Sequence, residues 1–433
     1  MDHKKTLGGR WVKRYSSFSL YLSNYIALAL IYLILTRSLA GSILTAITAC
    51  ISLFSFRVFD KENLSDFNQL IVRSFIALLF ANIVNYVIAR LIYLSFFGGV
   101  GRVRLAPLSV HTIVSTFAVS LLSYYLFKFL KKRVRPGNCA VIGRKDELDE
   151  LLREIEQKSD EYRFVQFIES EEDLKKIRDD VTGVVVADYS MYESLRSRLS
   201  TMNNLEIVFL PHIAESVLKR IPLALVDRFR AYYETSFNRV VESAPKRILD
   251  AVFATVALIV TSPVMLIIAV MILLEDGRPV IYRQKRVGRD SKEFEFIKFR
   301  SLKQEGFDPS DPNRNIEQRM LKIGRFIRKY RLDELPQLWL VLKGTMSLVG
   351  PRPEMVEYHL QCANKIPYYL YRLKLKPGLT GWAQINYRHT TTLEEYRTKL
   401  EYDLYYVKNR TIFMDLMIIL QTIEAVIWRR GAR

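Results

Sequence analysis

The chain opens with four apolar runs almost free of charge, at about residues 18–36, 39–56, 74–94 and 105–127. Each approaches the ~20 residues that a helix needs to cross the hydrocarbon of a bilayer. The second is rich in Ser and Thr and a little short. Arg90 interrupts the third, where its side chain can snorkel toward the interface. The pattern predicts a four-helix transmembrane domain over residues 1–135. Long apolar runs follow the first one, so it does not read as a cleaved signal peptide. Lys4, Lys5, Arg10, Lys13 and Arg14 precede the runs, and Lys128, Lys131, Lys132, Arg133 and Arg135 follow them. That distribution places the amino end and the remainder of the chain on the cytoplasmic side of the membrane, against which Arg102 and Arg104 on the outer loop count mildly.

From residue 138 the period changes. Short runs rich in Val, Ile and Phe at 139–143, 163–168, 183–187 and 206–210 alternate with polar helical stretches near 145–158, 171–179 and 191–202. Strand and helix in alternation predict a small Rossmann-like parallel α/β domain over residues 136–215. Its first strand ends in Gly143-Arg144-Lys145, without the glycine spacing that cradles a dinucleotide. The domain therefore reads as a structural or regulatory module. Residues 216–243 form a mixed connector with Arg228, Arg230, Tyr232 and Tyr233, to which no function attaches.

A fifth apolar run covers residues 251–274 and contains Ser262-Pro263 at its middle. Proline removes a helical hydrogen bond there. Cations flank both ends: Lys246 and Arg247 before, Arg278, Arg283, Lys285 and Arg286 after. Each half holds about eleven residues, or ~17 Å, roughly half the hydrocarbon thickness. A re-entrant membrane helix over 246–274, with Asp250 at its head and a bend at Pro263, keeps both ends cytoplasmic. It opens a C-terminal α/β domain, 244–433, completing a membrane α+β architecture. Residues 281–302 alternate around Phe294, Phe296 and Phe299 and carry Lys298 and Arg300. Taken alone they form an amphipathic hairpin with solvated cations. Residues 307–316 read as a polar loop. The amphipathic stretch 412–429, with Trp428 and terminal arginines, suits either a bilayer interface or a domain core.

A chain of 433 residues accommodates two or three domains with real cores. The formal charge of +19 would point to nucleic acid in a soluble protein. The apolar runs redirect it to a membrane surface or phosphorylated substrates. Neither zinc-ligand spacing nor an aromatic ladder for single strands is present, which argues against nucleic acid. Cys50, Cys139 and Cys362 are scattered and odd in number, as incidental thiols in a reducing compartment would be.

The richest chemistry lies in residues 325–354. Arg325, Arg328, Lys329 and Arg331 lead into Asp333-Glu334. Pro336 fits a first helical turn, Gly344 fits the helix end, and Arg352 stands between Pro351 and Pro353. Carboxylates at a helix start among cations suit phosphate oxygens and a divalent cation. Ordinary capping explains the same two residues equally well on this segment alone.

Taken together, the motifs resemble those of the bacterial sugar transferases, in particular the large polyprenyl-phosphate hexose-1-phosphate transferases of the monotopic phosphoglycosyl transferase superfamily. The likeness is dense over residues 245–433. It rests on Lys246-Arg247 with Asp250, Ser262-Pro263, the Arg-Gln-x-Arg-x-Gly run from Arg283 to Gly288, Lys298-Phe299-Arg300, Leu332-Asp333-Glu334-Leu335-Pro336-Gln337, the segment from Ser347 to Glu354, and the turn from Thr380 to Gln384. The resemblance implies transfer of a hexose-1-phosphate from a UDP-sugar to undecaprenyl phosphate, with release of UMP, as the first step of exopolysaccharide, O-antigen or capsule synthesis. It implies Mg²⁺ and a phosphosugar–aspartate intermediate on Asp333, with Glu334 as metal-binding partner. Arg352 would meet the donor, while Arg328 and Lys298 would hold phosphate oxygens. Lys246, Arg247 and Arg300 complete the implied substrate-binding set. Membrane lipids and a second copy in a homodimer are the implied partners. Arg331 departs from the small polar residue that many members carry. A membrane scaffold or lipid-linked sugar transport component, and an inverting glycosyltransferase, stand as alternatives.

Overall fold

The computed structural model describes residues 8–36, 39–97, 105–131, 136–200, 205–303, 317–387 and 392–427. Outside them lie Arg102 and Arg104, the cations at 132–135, the first basic residues of the chain, the predicted loop 307–316 and Trp428. The chain divides into two compact units, Met1–Phe209 and Leu210–Arg433.

In the first unit, α1 (Gly8–Thr36), α2 (Leu39–Ser55), α4 (Phe67–Phe97) and α5 (Leu105–Lys131) are the long helices, with the short α3 (Lys61–Ser65) before α4. Each of the four packs on two of the others, α1 on α2 and α5, α4 on α2 and α5. Their shared core includes Leu28, Tyr32, Ala49, Leu53, Leu70 and Leu78. Polar side chains inside it satisfy one another across helices: Asn24 donates to Ser123 at 2.9 Å, Tyr32 to Asn82 at 2.5 Å, and Asn82 to Thr112 at 2.8 Å. Such pairing is the way polar groups persist where no water reaches. The outward face is apolar, with Leu30, Ile34, Ile83, Val110 and Phe117 exposed. Segments Phe67–Arg90 and Ser109–Lys131 are long and apolar enough to cross a membrane.

The same unit holds a four-stranded parallel sheet of order β2-β1-β3-β4, from β1 (Gly137–Ile142), β2 (Tyr162–Ile168), β3 (Gly183–Val186) and β4 (Glu206–Phe209). Helices α6 (Lys145–Lys158), α7 (Glu171–Lys175) and α8 (Tyr189–Leu199) connect them. The strands fall where the apolar runs place them. At the end of β1, a Cβ on Gly143 would lie 2.7 Å from the Leu148 side chain. Glycine is what fits at this turn, where the φ of 154° and the close Leu148 side chain leave no room for a Cβ.

The second unit begins with α9 (Leu210–Leu218), α10 (Leu223–Arg228) and α11 (Arg230–Asn238), then the 33-residue α12 (Ala244–Asp276). A three-stranded antiparallel sheet of order β6-β5-β8 follows, from β5 (Ile281–Val287), β6 (Glu293–Phe299) and β8 (Glu354–Met355). Between β6 and β8 come α13 (Lys322–Lys329), α14 (Gln337–Lys343) and β7 (Ser347–Val349). After β8 come α15 (Val356–Lys365), β9 (Gly378–Thr380), which pairs with β7, then α16 (Trp382–Asn386), α17 (Leu393–Asn409) and α18 (Ile412–Ile427). Gly378 permits the β7–β9 crossing, because a Cβ there would lie 2.1 Å from the Gly350 amide nitrogen.

Helix α12 runs as one helix through Ser262 and Pro263, so the expected break in helical structure at the proline is absent. Ser262 caps the preceding turn instead, its hydroxyl donating to the Ile259 carbonyl at 2.8 Å. Both ends of α12 are tied to the same unit. Near its start, Arg247 donates to the Val341 and Leu342 carbonyls at 2.7 and 2.6 Å. Asp250 accepts from the Ser347 hydroxyl at 2.7 Å and the Leu348 amide at 3.2 Å. Near its end, Glu275 accepts from the Lys322 and Ile323 amides at 2.6 and 3.1 Å, and Ile268 and Ile272 share a core with Phe299. The middle is apolar and bare: Ile259, Val260 and Leu266 are each about two-thirds exposed.

Candidate active site

The alternation of β5 and β6 builds one wall. Antiparallel register sets Tyr282 opposite Lys298 and Gln284 opposite Phe296, with Arg286 opposite Phe294. One sheet face therefore carries Tyr282, Gln284, Arg286, Phe294, Phe296 and Lys298. Lys298 lies over the Tyr282 ring at 5.2 Å, and Arg286 over the Phe296 ring at 4.3 Å. The outer face pairs Arg283 with Glu295 at 2.6 Å in solvent.

The opposing wall is the turn between α13 and α14. Arg331 takes a left-handed conformation (φ 54°) and ends α13. Leu332–Glu334 then form a single 3₁₀ turn before Pro336 caps α14. This places Asp333 and Glu334 together at the threshold of the helix, as the proline spacing predicts. Asp333 is 8% exposed. Burial and the neighbouring Glu334 push its carboxyl up to about 6, against the pull of Lys298 and Arg328. Burial would raise Glu334 too, but Arg352 and Arg331 hold it below its ordinary value. Arg352 donates from Nη2 to Glu334 Oε1 at 3.0 Å, and Arg331 Nη1 lies 3.6 Å from the same oxygen. Burial presses the Lys298 ammonium down while Asp333 draws it up.

The loop Pro351–Glu354 that delivers Arg352 is fastened by three cations. Arg286 donates to the Pro353 carbonyl at 2.7 Å and Arg372 to the Arg352 carbonyl at 2.7 Å, while Lys399 donates to the Glu354 carboxylate. Arg372 is itself buried and paired with Asp403 at 2.9 Å. Burial alone would raise Glu354, yet Lys399 and Arg372 hold its carboxyl down to about 2.

Of the residues singled out from the sequence, Asp333, Glu334, Lys298, Arg328 and Arg352 converge. Lys246, Arg247 and Arg300 do not: each makes its contacts with the scaffold. Lys246 donates to Asp415 at 2.7 Å in the interior. Arg247 caps the carbonyl end of α14, stacked against Gly344, whose φ of 87° closes that helix. Arg300 stands one residue beyond the end of β6, where alternation no longer governs direction. It donates to the Asp276 carboxylate at 2.6 Å and the Gly277 carbonyl at 2.8 Å. Asp250 and Ser262 hold structural positions on α12. Arg372 and Lys399 escaped the residue reading, and Arg286 entered it only as a flanking cation and within the run from Arg283 to Gly288, with no site role. The period-two run from Lys298 back to Phe294 was legible, but only strand register brings Arg286 onto the same face.

Among the described residues no group of three metal-ligating side chains occurs. Asp333 and Glu334 alone fit Mg²⁺, which commonly binds one or two carboxylates and completes its sphere with water and substrate phosphate. Asp333 has no side-chain donor among the described residues, and Glu334 engages Arg352 through one oxygen only. Both carboxylates therefore keep oxygens for a cation.

Residues 241–429 match the family model for the bacterial sugar transferase. Over 352 residues, 79% of each chain, the sequence is 31% identical to a UDP-N-acetylgalactosamine-undecaprenyl-phosphate N-acetylgalactosaminephosphotransferase of Aeromonas hydrophila. It is 37% identical over 244 residues to a UDP-glucose:undecaprenyl-phosphate glucose-1-phosphate transferase of Escherichia coli K12, covering 55% of this chain and 47% of that protein. It is 38% identical over 203 residues to an undecaprenyl-phosphate galactose phosphotransferase of Salmonella typhimurium, covering 43% of this chain and 41% of that protein.

Proposed function

Because the chain belongs to the bacterial sugar transferase family, we propose that it transfers a hexose-1-phosphate from a UDP-sugar to undecaprenyl phosphate at the cytoplasmic face of the membrane. The products are a diphosphate-linked lipid sugar and UMP, at the start of surface polysaccharide synthesis. The observation that carries this reading is the buried Asp333 carboxylate, with no side-chain hydrogen bond among the described residues, near the charges of Lys298 and Arg328 and beside the Glu334–Arg352 pair.

An oxygen of Asp333 attacks the sugar-bearing phosphorus. The bond to the bridging oxygen breaks, and its electron pair leaves with UMP. An oxygen of the lipid phosphate then attacks the same phosphorus and releases Asp333. Burial serves this chemistry, since a carboxylate titrating near 6 is more basic than a solvated one yet ionised at neutral pH. Lys298 and Arg328 offset charge on the transferred phosphoryl group, and Arg352 is braced by the Arg372 contact to its own carbonyl. Asp333 and Glu334 would hold Mg²⁺, which when bound neutralises diphosphate charge.

The α1–α5 helices are read as a transmembrane bundle and α12 as a re-entrant helix. Support for the latter is the anchoring of both its ends. A helix held at both ends by one domain, with a bare apolar middle, sinks into one leaflet and leaves Asp333 at headgroup level, where a lipid phosphate is found.

The test is incubation of membranes containing the protein with undecaprenyl phosphate and a panel of UDP-sugars, reading the nucleotide released. UMP supports the reading. UDP would indicate an inverting glycosyltransferase, and undiminished function of Asp333→Asn would indicate a scaffold.

A further inference from the structure

We propose that Arg286 is a second anion-binding guanidinium of this site, which takes the phosphate of the departing nucleotide beside Arg352. The proposal rests on the phosphoglycosyl transfer reading and deepens it. Its starting point is an imbalance of charge. Arg352 has Glu334, Arg372 has Asp403, and Arg283 has Glu295. Arg286 is half-buried under the Phe296 ring, and among the described residues no carboxylate lies within ion-pair distance of it. Its bonds go to neutral oxygens: the Pro353 carbonyl at 2.7 Å, and Gln284 Oε1 at 3.4 and 3.3 Å. The two acids whose charge it feels are already engaged, Glu334 by Arg352 and Glu354 by Lys399 and Arg372. A cation partly withdrawn from water without a counter-charge is costly, and an incoming anion removes that cost. Burial and the adjacent Arg352 push Arg286 down to about 10, in keeping with this imbalance.

Arg286 is tied to the Pro353 carbonyl, one residue from Arg352, whose guanidinium reaches Glu334 beside Asp333. Under the proposal these two cations of one loop take the leaving phosphate in an in-line displacement. As the bond between the two phosphorus atoms' bridging oxygen and the transferred phosphoryl group breaks, negative charge grows on UMP. Two planar forks side by side match its phosphate oxygens, and the long contacts to Gln284 can be exchanged for them.

The experiment uses the full-length protein in lipid nanodiscs, first shown to release UMP, so that failure of the transfer reading would be seen before any variant is scored. Binding of UMP and of uridine is then measured for wild type, Arg286→Gln and Gln284→Glu. Both variants are expected to weaken UMP at least tenfold and to leave uridine within twofold. Arg286→Gln is also expected to lower kcat/KM about a hundredfold. The Gln284→Glu change retains the guanidinium and the fold but gives Arg286 an internal counter-charge that competes with phosphate. Undiminished UMP binding by Gln284→Glu, or equal losses for UMP and uridine in Arg286→Gln, would overturn the proposal. The latter pattern would mean that Arg286 only supports the loop at Pro353.

Discussion

Arg352 Nη2 meets Glu334 Oε1 at 3.0 Å across 18 residues of sequence, while the adjacent Asp333 accepts no side-chain hydrogen bond among the described residues. Two consecutive acids thus receive opposite environments. One is neutralised by guanidinium groups and held below its ordinary range. The other is buried and raised, the state that the proposed nucleophile requires. Divergent titration of neighbouring carboxylates separates a charge-holding role from a nucleophilic one.

The raised Asp333 sets an acid limb. Its carboxyl must be ionised to attack, so kcat/KM for UMP release should fall about tenfold per pH unit below 6 and level off above 7. A steady-state profile from pH 4.5 to 8 checks this. A limb near 4 would show that Asp333 is not buried in the free enzyme.

Removing that charge should stabilise the fold while ending catalysis. Asp333 binds its proton more tightly in the folded chain, near 6 against an ordinary 3.8, so raising pH through that window costs stability. Above pH 6 the loss is roughly 3 kcal/mol at 1.36 kcal/mol per unit. Asp333→Asn should therefore melt higher than wild type at pH 7.5, with the advantage fading below pH 4, and should release UMP at least ~1,000-fold more slowly. A lower melting temperature at pH 7.5 would contradict the burial argument.

Lys246 separates architecture from chemistry. Lys246→Met leaves Asp415 buried without its ammonium partner and should cost about 3–5 kcal/mol. Protein that remains folded should keep the wild-type KM for donor. Denaturant unfolding beside steady-state kinetics measures both, and a raised KM at unchanged stability would restore Lys246 to the substrate site.

The α12 arm can be located by labelling. Single cysteines at Leu249 and Leu274, in a chain cleared of Cys50, Cys139 and Cys362, should react with a membrane-impermeant maleimide from the same side. A cysteine at Ile259 should stay protected until detergent is added. Opposite sidedness for positions 249 and 274 would make α12 a full crossing.

Much of this arrangement is visible in one dimension, because it depends on neighbours in sequence. Apolar runs mark the long helices, β-branched clusters mark β1 to β4, and Pro336 with Gly344 brackets α14 around the acidic pair. Proline was a weaker guide at Pro263, where helix continues because the bare apolar flanks on both sides are themselves helical and the lost hydrogen bond is local. Cations were hardest to place. Lys246, Arg247 and Arg300 carry the same charge as Lys298 and Arg352, and charge alone does not say what a side chain will meet.

The sequence by itself determined the apolar helices, the strand periods and the acidic pair at a helix threshold, since each follows from spacing along the chain. Only tertiary structure decided which cations serve Asp333 and which brace the scaffold. Strand register and loop closure bring Arg286, Lys298 and Arg352 together from distant segments, and the partner each finds at 3 Å fixes whether its charge is spent or still available.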